Sequence, residues 1–332
     1  MFHDCKIVKA DCTYGEYHRQ DAKRGAKDYS MSRSEIVEFV ACPAKWILGP
    51  QADDSTPATE WGSLIDALIQ PPDTFEKLFS IAPETYPATK SGEPKPWTRQ
   101  STYCKDWEAA EKEQGKTVIK AGVFLEAQTA VKAIKADADM LELLTISRKQ
   151  VFVIGFWIDE GTGIEIPVRV LIDLVPPKQH LTMGKWLADF KTARNGDPAA
   201  WARVVDDQAY DVQAALYTDI YCAATKEDRT DWCFAVQENV APFHVVKPMP
   251  AMTAEFLTWG RLKYQSALAY YAQCLATNHW PSYRVFGLPF GPLQLIGPES
   301  LWTYRQTAGQ GALTTKDNYQ PAPQTENEGV AP

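Results

Sequence analysis

The chain has 332 residues, 45% of them hydrophobic, and carries 34 Lys and Arg against 42 Asp and Glu, a formal net charge of −8. That size permits one large domain, or one domain with extensions. The acidic balance excludes a passive, strongly basic coat for nucleic acid, although local contacts to DNA remain compatible with it. The seven cysteines are scattered, with no CxxC pair, which fits a reducing compartment and excludes a disulfide framework or a zinc site.

Residues 1–30 read as a polar lead, only partly ordered. The opening MFHDCKIVKADC lacks the apolar core of a secretion signal, and no run approaches the roughly 18–20 apolar residues that cross a bilayer. A cytosolic protein is expected, with no membrane partner. A helix is predicted over about 33–47. A second helix, EWGSLIDALI, buries Leu64, Ile65, Leu68 and Ile69 and is halted by Pro71-Pro72. Asp66 lies on it one turn after Gly62. It is either an exposed carboxylate on the helix face or, since burial of a charge demands a partner, a metal ligand.

A long loop follows near 81–103, where Lys90, Lys95 and Arg99 mingle with Trp97 and Tyr103. That mixture suits backbone contact and base stacking on DNA, or else a solvated loop. Helical patterns cover about 104–145. Strands are expected near 150–158, 165–175 and 185–192, then a helix AYDVQAALYTDIYCAA, strands DWCFAVQE and FHVVKP, and a long helix over about 252–276. Residues 283–306 are apolar but broken by Gly and Pro, an extension rather than a helix. Residues 307–332 turn to Gln, Thr, Pro and Glu and are expected to be disordered.

The chemistry concentrates in IPVRVLIDLVPP and WLADFKTAR. Asp173 ends the first apolar run, and Asp189 and Lys191 stand on the next. Side chains on a strand alternate, so Asp189 and Lys191 share a face while Phe190 turns to the core. If the two strands pair, Asp173 sits opposite Asp189. Two carboxylates can then hold a hard divalent cation beside a phosphodiester, with the lysine orienting or deprotonating water. A surface ion pair at a strand end is the alternative. On the following helix Gln213 and Tyr217, at i and i+4, share one face and can donate to phosphate oxygens. Tyr210 and Tyr221 read instead as an aromatic stripe facing the core.

In this order the motifs resemble the PD-(D/E)xK nuclease superfamily, and within it the RecE-type, exonuclease VIII-like exodeoxyribonucleases of phages and prophages. The likeness runs from about Ser32 to Ser282. It includes MSRSEIVEFVACPAKW, with Ser34 and Cys42-Pro43, the Gly62–Asp66 helix, PETYPATKSGEPKPW, the GFWIDEGTGIEIPVRVLID strand pair, ADFKTA and VQAALYTDIY.

The resemblance implies an α/β fold, a mixed central sheet flanked by helices, with residues 31–282 as the exonuclease domain. It implies Asp173, Asp189 and the Phe190 carbonyl as ligands of Mg²⁺ (Mn²⁺ as a substitute), and Lys191 as catalytic lysine. Gln213 and Tyr217 match a QxxxY motif that supports the site and contacts DNA. Ser34, Trp97, Arg99 and Arg169 are the further DNA contacts expected. Where the family usually has a His, this chain has Asp66, itself a suitable oxygen ligand.

The implied activity is 5′-to-3′ resection of linear duplex DNA, leaving 3′ single strands for an annealing protein, by a homo-oligomeric ring. An endonuclease, a nuclease for branched or single-stranded DNA, and an inactive DNA-binding scaffold remain as alternatives. Some related nucleases hold an iron–sulfur cluster, but Cys222, Cys233 and Cys274 are spaced too widely, so none is expected.

Overall fold

A computed structural model describes residues 1–49, 56–70, 72–87, 92–250 and 254–282. Lys90 and the segments expected at 283–306 and 307–332 lie outside the described residues. In chain order the elements are β1 (Phe2–Lys9), α1 (Tyr14–His18), α2 (Arg33–Ala41), α3 (Pro43–Leu48), α4 (Pro57–Ile69) and α5 (Pro72–Leu78). Then come β2 (Phe79–Ala82), β3 (Thr85–Pro87), β4 (Pro94–Pro96), α6 (Thr102–Glu113), β5 (Thr117–Lys120), α7 (Ala121–Ala136) and α8 (Ala138–Ile146). The remainder is β6 (Arg148–Ile158), β7 (Glu165–Val175), β8 (Trp186–Ala193), α9 (Pro198–Asp207), α10 (Tyr210–Thr225), β9 (Asp231–Glu238), β10 (Val245–Pro250) and α11 (Ala254–Thr277).

The alternating runs of β6 and β7 pair as a long antiparallel hairpin at the middle of a six-stranded sheet, ordered β1-β6-β7-β8-β9-β10. Its one parallel ladder joins β8 to β9, with α9 and α10 between them along the chain. That connection is long because parallel neighbours need a crossover. The mixed α/β architecture expected from the sequence is the architecture found.

Each face of the sheet has its own core. On one, Val151, Val168, Ile172, Leu187 and Trp232 pack with Phe39 of α2, Leu216 of α10 and Leu268 of α11. On the other, Leu174, Ala188, Phe190 and Ala235 pack with Leu64 and Ile65 of α4, Ala130 of α7 and Leu143 of α8. Helix α10 is buried nearly all round, because it lies between the sheet and α11. Gly260 of α11 permits that approach: a Cβ there would collide with the Asp211 carbonyl oxygen.

Four expectations are corrected. The polar lead holds β1, which pairs with β6, and α1, whose Thr13–Glu16 capping box satisfies its first turn. Its composition is polar because an edge strand buries only part of its side chains, here Phe2, Cys5 and Ile7. The helix over 33–47 is two helices, since Pro43 has no N–H to continue α2 and instead begins α3. The loop over 81–103 contains β2, β3 and β4, and the helical stretch over 104–145 is interrupted by β5, the parallel partner of β2.

Candidate active site

Strands β7 and β8 are joined by a single registered pair, Leu174 with Ala188, which sets Asp173 and Asp189 on the next rung. The alternation of β7 breaks there: Ile172 belongs to one core and Leu174 to the other. Across from Asp173, between the paired residues Lys149 and Val151 of β6, stands Gln150 with φ +46°. A non-glycine residue in the left-handed region re-aims a strand as a bulge does, at a cost of about 1–2 kcal/mol. The hairpin is thus bent at the rung that carries the carboxylate.

Asp189 is 1% exposed and holds the centre of the cluster. Its Oδ1 accepts a hydrogen bond from Gln213 Nε2 at 2.8 Å, and its Oδ2 is 2.6 Å from Lys191 Nζ. That second oxygen receives no hydrogen bond of ordinary geometry. Asp173 Oδ2 accepts from the Phe190 N–H at 3.1 Å. Burial and the neighbouring Asp189 charge push the Asp173 carboxyl well above its usual range, with Lys191 acting the other way. Burial draws the Lys191 ammonium down, but Asp189 and Asp173 outweigh it and the net shift is upward. Lys191 is therefore held as a cation against two carboxylates that share too little counter-charge. Tyr217 is buried, which raises its phenol strongly and keeps it a proton donor.

This donor set fits a hard divalent cation. The oxygens of Asp173 and Asp189 converge, one lacks a hydrogen bond, and the excess negative charge is unrelieved. Asp66 stands differently. Its two oxygens accept from Gln70 and Gln150, each at 3.3 Å, and its charge adds to the push on Asp173. Burial raises its carboxyl too. Among the described residues no three His, Cys, Asp or Glu side chains form a closed metal set, and Asp66 acts on Asp173 through its charge. Phe190 enters the site through its N–H, bonded to Asp173.

The expected DNA contacts are dispersed. Ser34 is exposed; Ser32, capping α2, is the buried serine, and it approaches the Tyr17 hydroxyl. Arg169 is 4% exposed, its Nη1 donating to the Tyr17 carbonyl and its guanidinium lying 5.3 Å from that ring. It anchors α1 on the sheet. Trp97 packs edge-on against Trp107, and Arg99 pairs with Glu108.

Sequence reasoning missed Tyr17, Gln150 and the cations that face Tyr210. Tyr221 is in the core and Tyr210 packs against it, as expected, and the Tyr210 ring also faces Lys191 at 5.1 Å and Arg33 at 5.2 Å. A tyrosine at the first position of the Gln213 helix was the available signal; Gln150 and Tyr17 offered none.

A family model described as a PDDEXK-like domain of unknown function (DUF3799) matches residues 32–284. No curated relative matches the sequence. A solved structure of a candidate exonuclease from Eubacterium rectale shares the fold, with 16% identity, a TM-score of 0.52, and coverage of 85% of this chain and 97% of that one. By the family match over most of its length, and by a fold that brings Asp173, Asp189 and Lys191 together, this chain belongs to the PDDEXK-like family.

Proposed function

We propose that this protein is a metal-dependent nuclease that resects linear duplex DNA 5′ to 3′, leaving 3′ single strands for recombination by annealing. The observation that carries the reading is the cluster of Asp173, Lys191 and Gln213 about the buried Asp189 at the bent rung of β7 and β8. PDDEXK-like membership and the fold shared with a candidate exonuclease support a nuclease.

Asp173 and Asp189 would hold Mg²⁺ or, in its place, Mn²⁺, with Asp66 adding negative charge nearby. When bound, the cation supplies charge for the phosphoryl transition state and acidifies water. The protein's own groups do the rest. Gln213 fixes the orientation of Asp189 through its Oδ1. Lys191, held as a cation by the two carboxylates, orients the attacking water and counters the charge that develops on the phosphate. Tyr217 keeps its proton and donates to a phosphate oxygen. Action from duplex ends, a ring of identical subunits and a single-strand annealing partner belong to the same proposal.

The test is digestion of a linear duplex beside the same DNA as a closed circle, with Mg²⁺, Mn²⁺ or EDTA, and with Lys191→Ala as control. Loss of the linear form alone, dependent on metal and on Lys191, is expected; labelling a single end then gives polarity. Cutting of the circle would make it an endonuclease. A fully active Lys191→Ala protein would sink the assignment of the site.

A further inference from the structure

Arg33 lies over the Tyr210 ring and has no acidic partner among the described residues. Other arginines in the interior each have at least one partner: Arg24 has Glu35, Glu38 and the Trp46 carbonyl, Arg229 has Glu227 and two carbonyls, and Arg169 has the Tyr17 carbonyl, although Nε of Arg24 and of Arg169 is unsatisfied. Arg33 makes no ion pair among the described residues, and its buried Nε and Nη2 have no hydrogen-bond partner. Leaving guanidinium donors unsatisfied in a protein interior is costly unless a ligand satisfies them.

Its position says which ligand. Arg33 is the first residue of α2 after the buried cap Ser32, in the helical turn whose free N–H groups favour an anion. Its guanidinium lies over the ring of Tyr210, the ring that Lys191 also approaches. That ring is fixed by Trp201 and Phe234, at centroid distances of 5.8 and 6.0 Å. The positive charge of Arg33 also acts on the Tyr217 phenol beside Asp189 and Asp173. An aromatic platform thus aligns an unpaired guanidinium with the catalytic lysine.

We propose that Arg33 binds a non-bridging oxygen of the DNA phosphate held at the Asp173–Asp189 site, its guanidinium turning to the phosphate from the interior, where Nε and Nη2 have no partner. The planar fork matches a phosphate edge, which a lysine ammonium cannot reproduce. The proposal rests on the nuclease reading above.

The experiment uses the full chain and a fluorescently labelled linear duplex. Binding is followed by anisotropy in EDTA across a salt series, and cleavage by single-turnover hydrolysis in Mg²⁺, for wild type, Arg33→Ala, Arg33→Gln and Arg33→Lys. Arg33→Ala and Arg33→Gln should bind at least about 10-fold more weakly, with the slope of log affinity against log salt reduced by about one. Arg33→Lys should recover the slope but not the cleavage rate, since charge returns without the fork. A purely structural arginine would lower the melting temperature and leave the slope unchanged. If wild type binds and cleaves while Arg33→Gln does both equally well with the same slope, this inference falls and the nuclease reading stands. If wild type neither binds nor cleaves, both fall.

Discussion

Removing the Lys191 ammonium should destabilise the metal-free protein and leave a deficit that a divalent cation repairs. Lys191 Nζ lies 2.6 Å from Asp189 Oδ2, and the Asp189 side chain is only 2% exposed. At an effective dielectric of about 20, two unit charges at that distance attract by roughly 6 kcal/mol. Desolvation offsets much of this, and breaking one side of a buried pair typically costs about 3–5 kcal/mol. Lys191 is 22% exposed, so water screens the pair and the low end, about 3 kcal/mol, applies.

With about 2–4 °C per kcal/mol in a domain of this class, Lys191→Ala in EDTA should melt roughly 6–12 °C below wild type. Asp173→Asn has the opposite sign, because it removes a charge that burial and Asp189 already penalise. It should melt at or above the wild-type temperature in EDTA, by up to about 1–2 kcal/mol. Saturating Mg²⁺ should stabilise wild type and Lys191→Ala, by about 2.7 kcal/mol at one hundred times its dissociation constant, and Asp173→Asn far less. Differential scanning fluorimetry with and without cation reads all of this. Equal melting of Lys191→Ala and wild type in EDTA, or equal Mg²⁺ stabilisation of Asp173→Asn, would refute the reasoning.

Gln150→Gly relieves a left-handed residue and should leave stability unchanged or raised by about 0.5–1 kcal/mol, while freeing Asp66 and weakening Mn²⁺ binding several-fold by titration calorimetry. Unchanged Mn²⁺ affinity would show that Asp66 needs no such hold. Gly260→Ala forces α11 off the Asp211 carbonyl at the start of α10, the helix that carries Gln213. A loss of about 1–3 kcal/mol in denaturant melts, with reduced cleavage, is the expected result. Burial pushes the Tyr17 phenol up to about 12. Its folded form keeps the proton where the unfolded chain loses it, so stability falls as pH rises from about 10 to 12, by roughly 1–3 kcal/mol. Tyr17→Phe should flatten that part of the pH profile; an unchanged profile would remove Tyr17 as its source.

Much of the site was legible because it is built from short-range patterns. Asp189 and Lys191 share a face by the two-residue period of a strand, and Gln213 and Tyr217 by the turn of a helix. Those periods are printed in consecutive residues, and the ladder of β7 with β8 needs only a short connection. The first thirty residues misled because an edge strand and a loop can have the same polar composition. What distinguishes them is whether β6 is there to pair with, about 150 residues away.

The chain by itself determined that Asp189 and Lys191 share a face, by strand alternation, while the meeting of Asp173 with Asp189 needed the β7–β8 register. Only the tertiary structure decided what surrounds them. Gln150 is driven into the left-handed region by packing and bent pairing opposite Asp173, not by any preference of glutamine. Arg33 and Tyr17 reach the site from segments distant in sequence, because α1 and α2 are laid over the sheet by long-range contacts such as Met31 with Pro167 and Arg169. Local periodicity fixes the side of an element on which a residue stands. Which other residues face it depends on the packing of the whole chain, and no window of neighbouring residues encodes that.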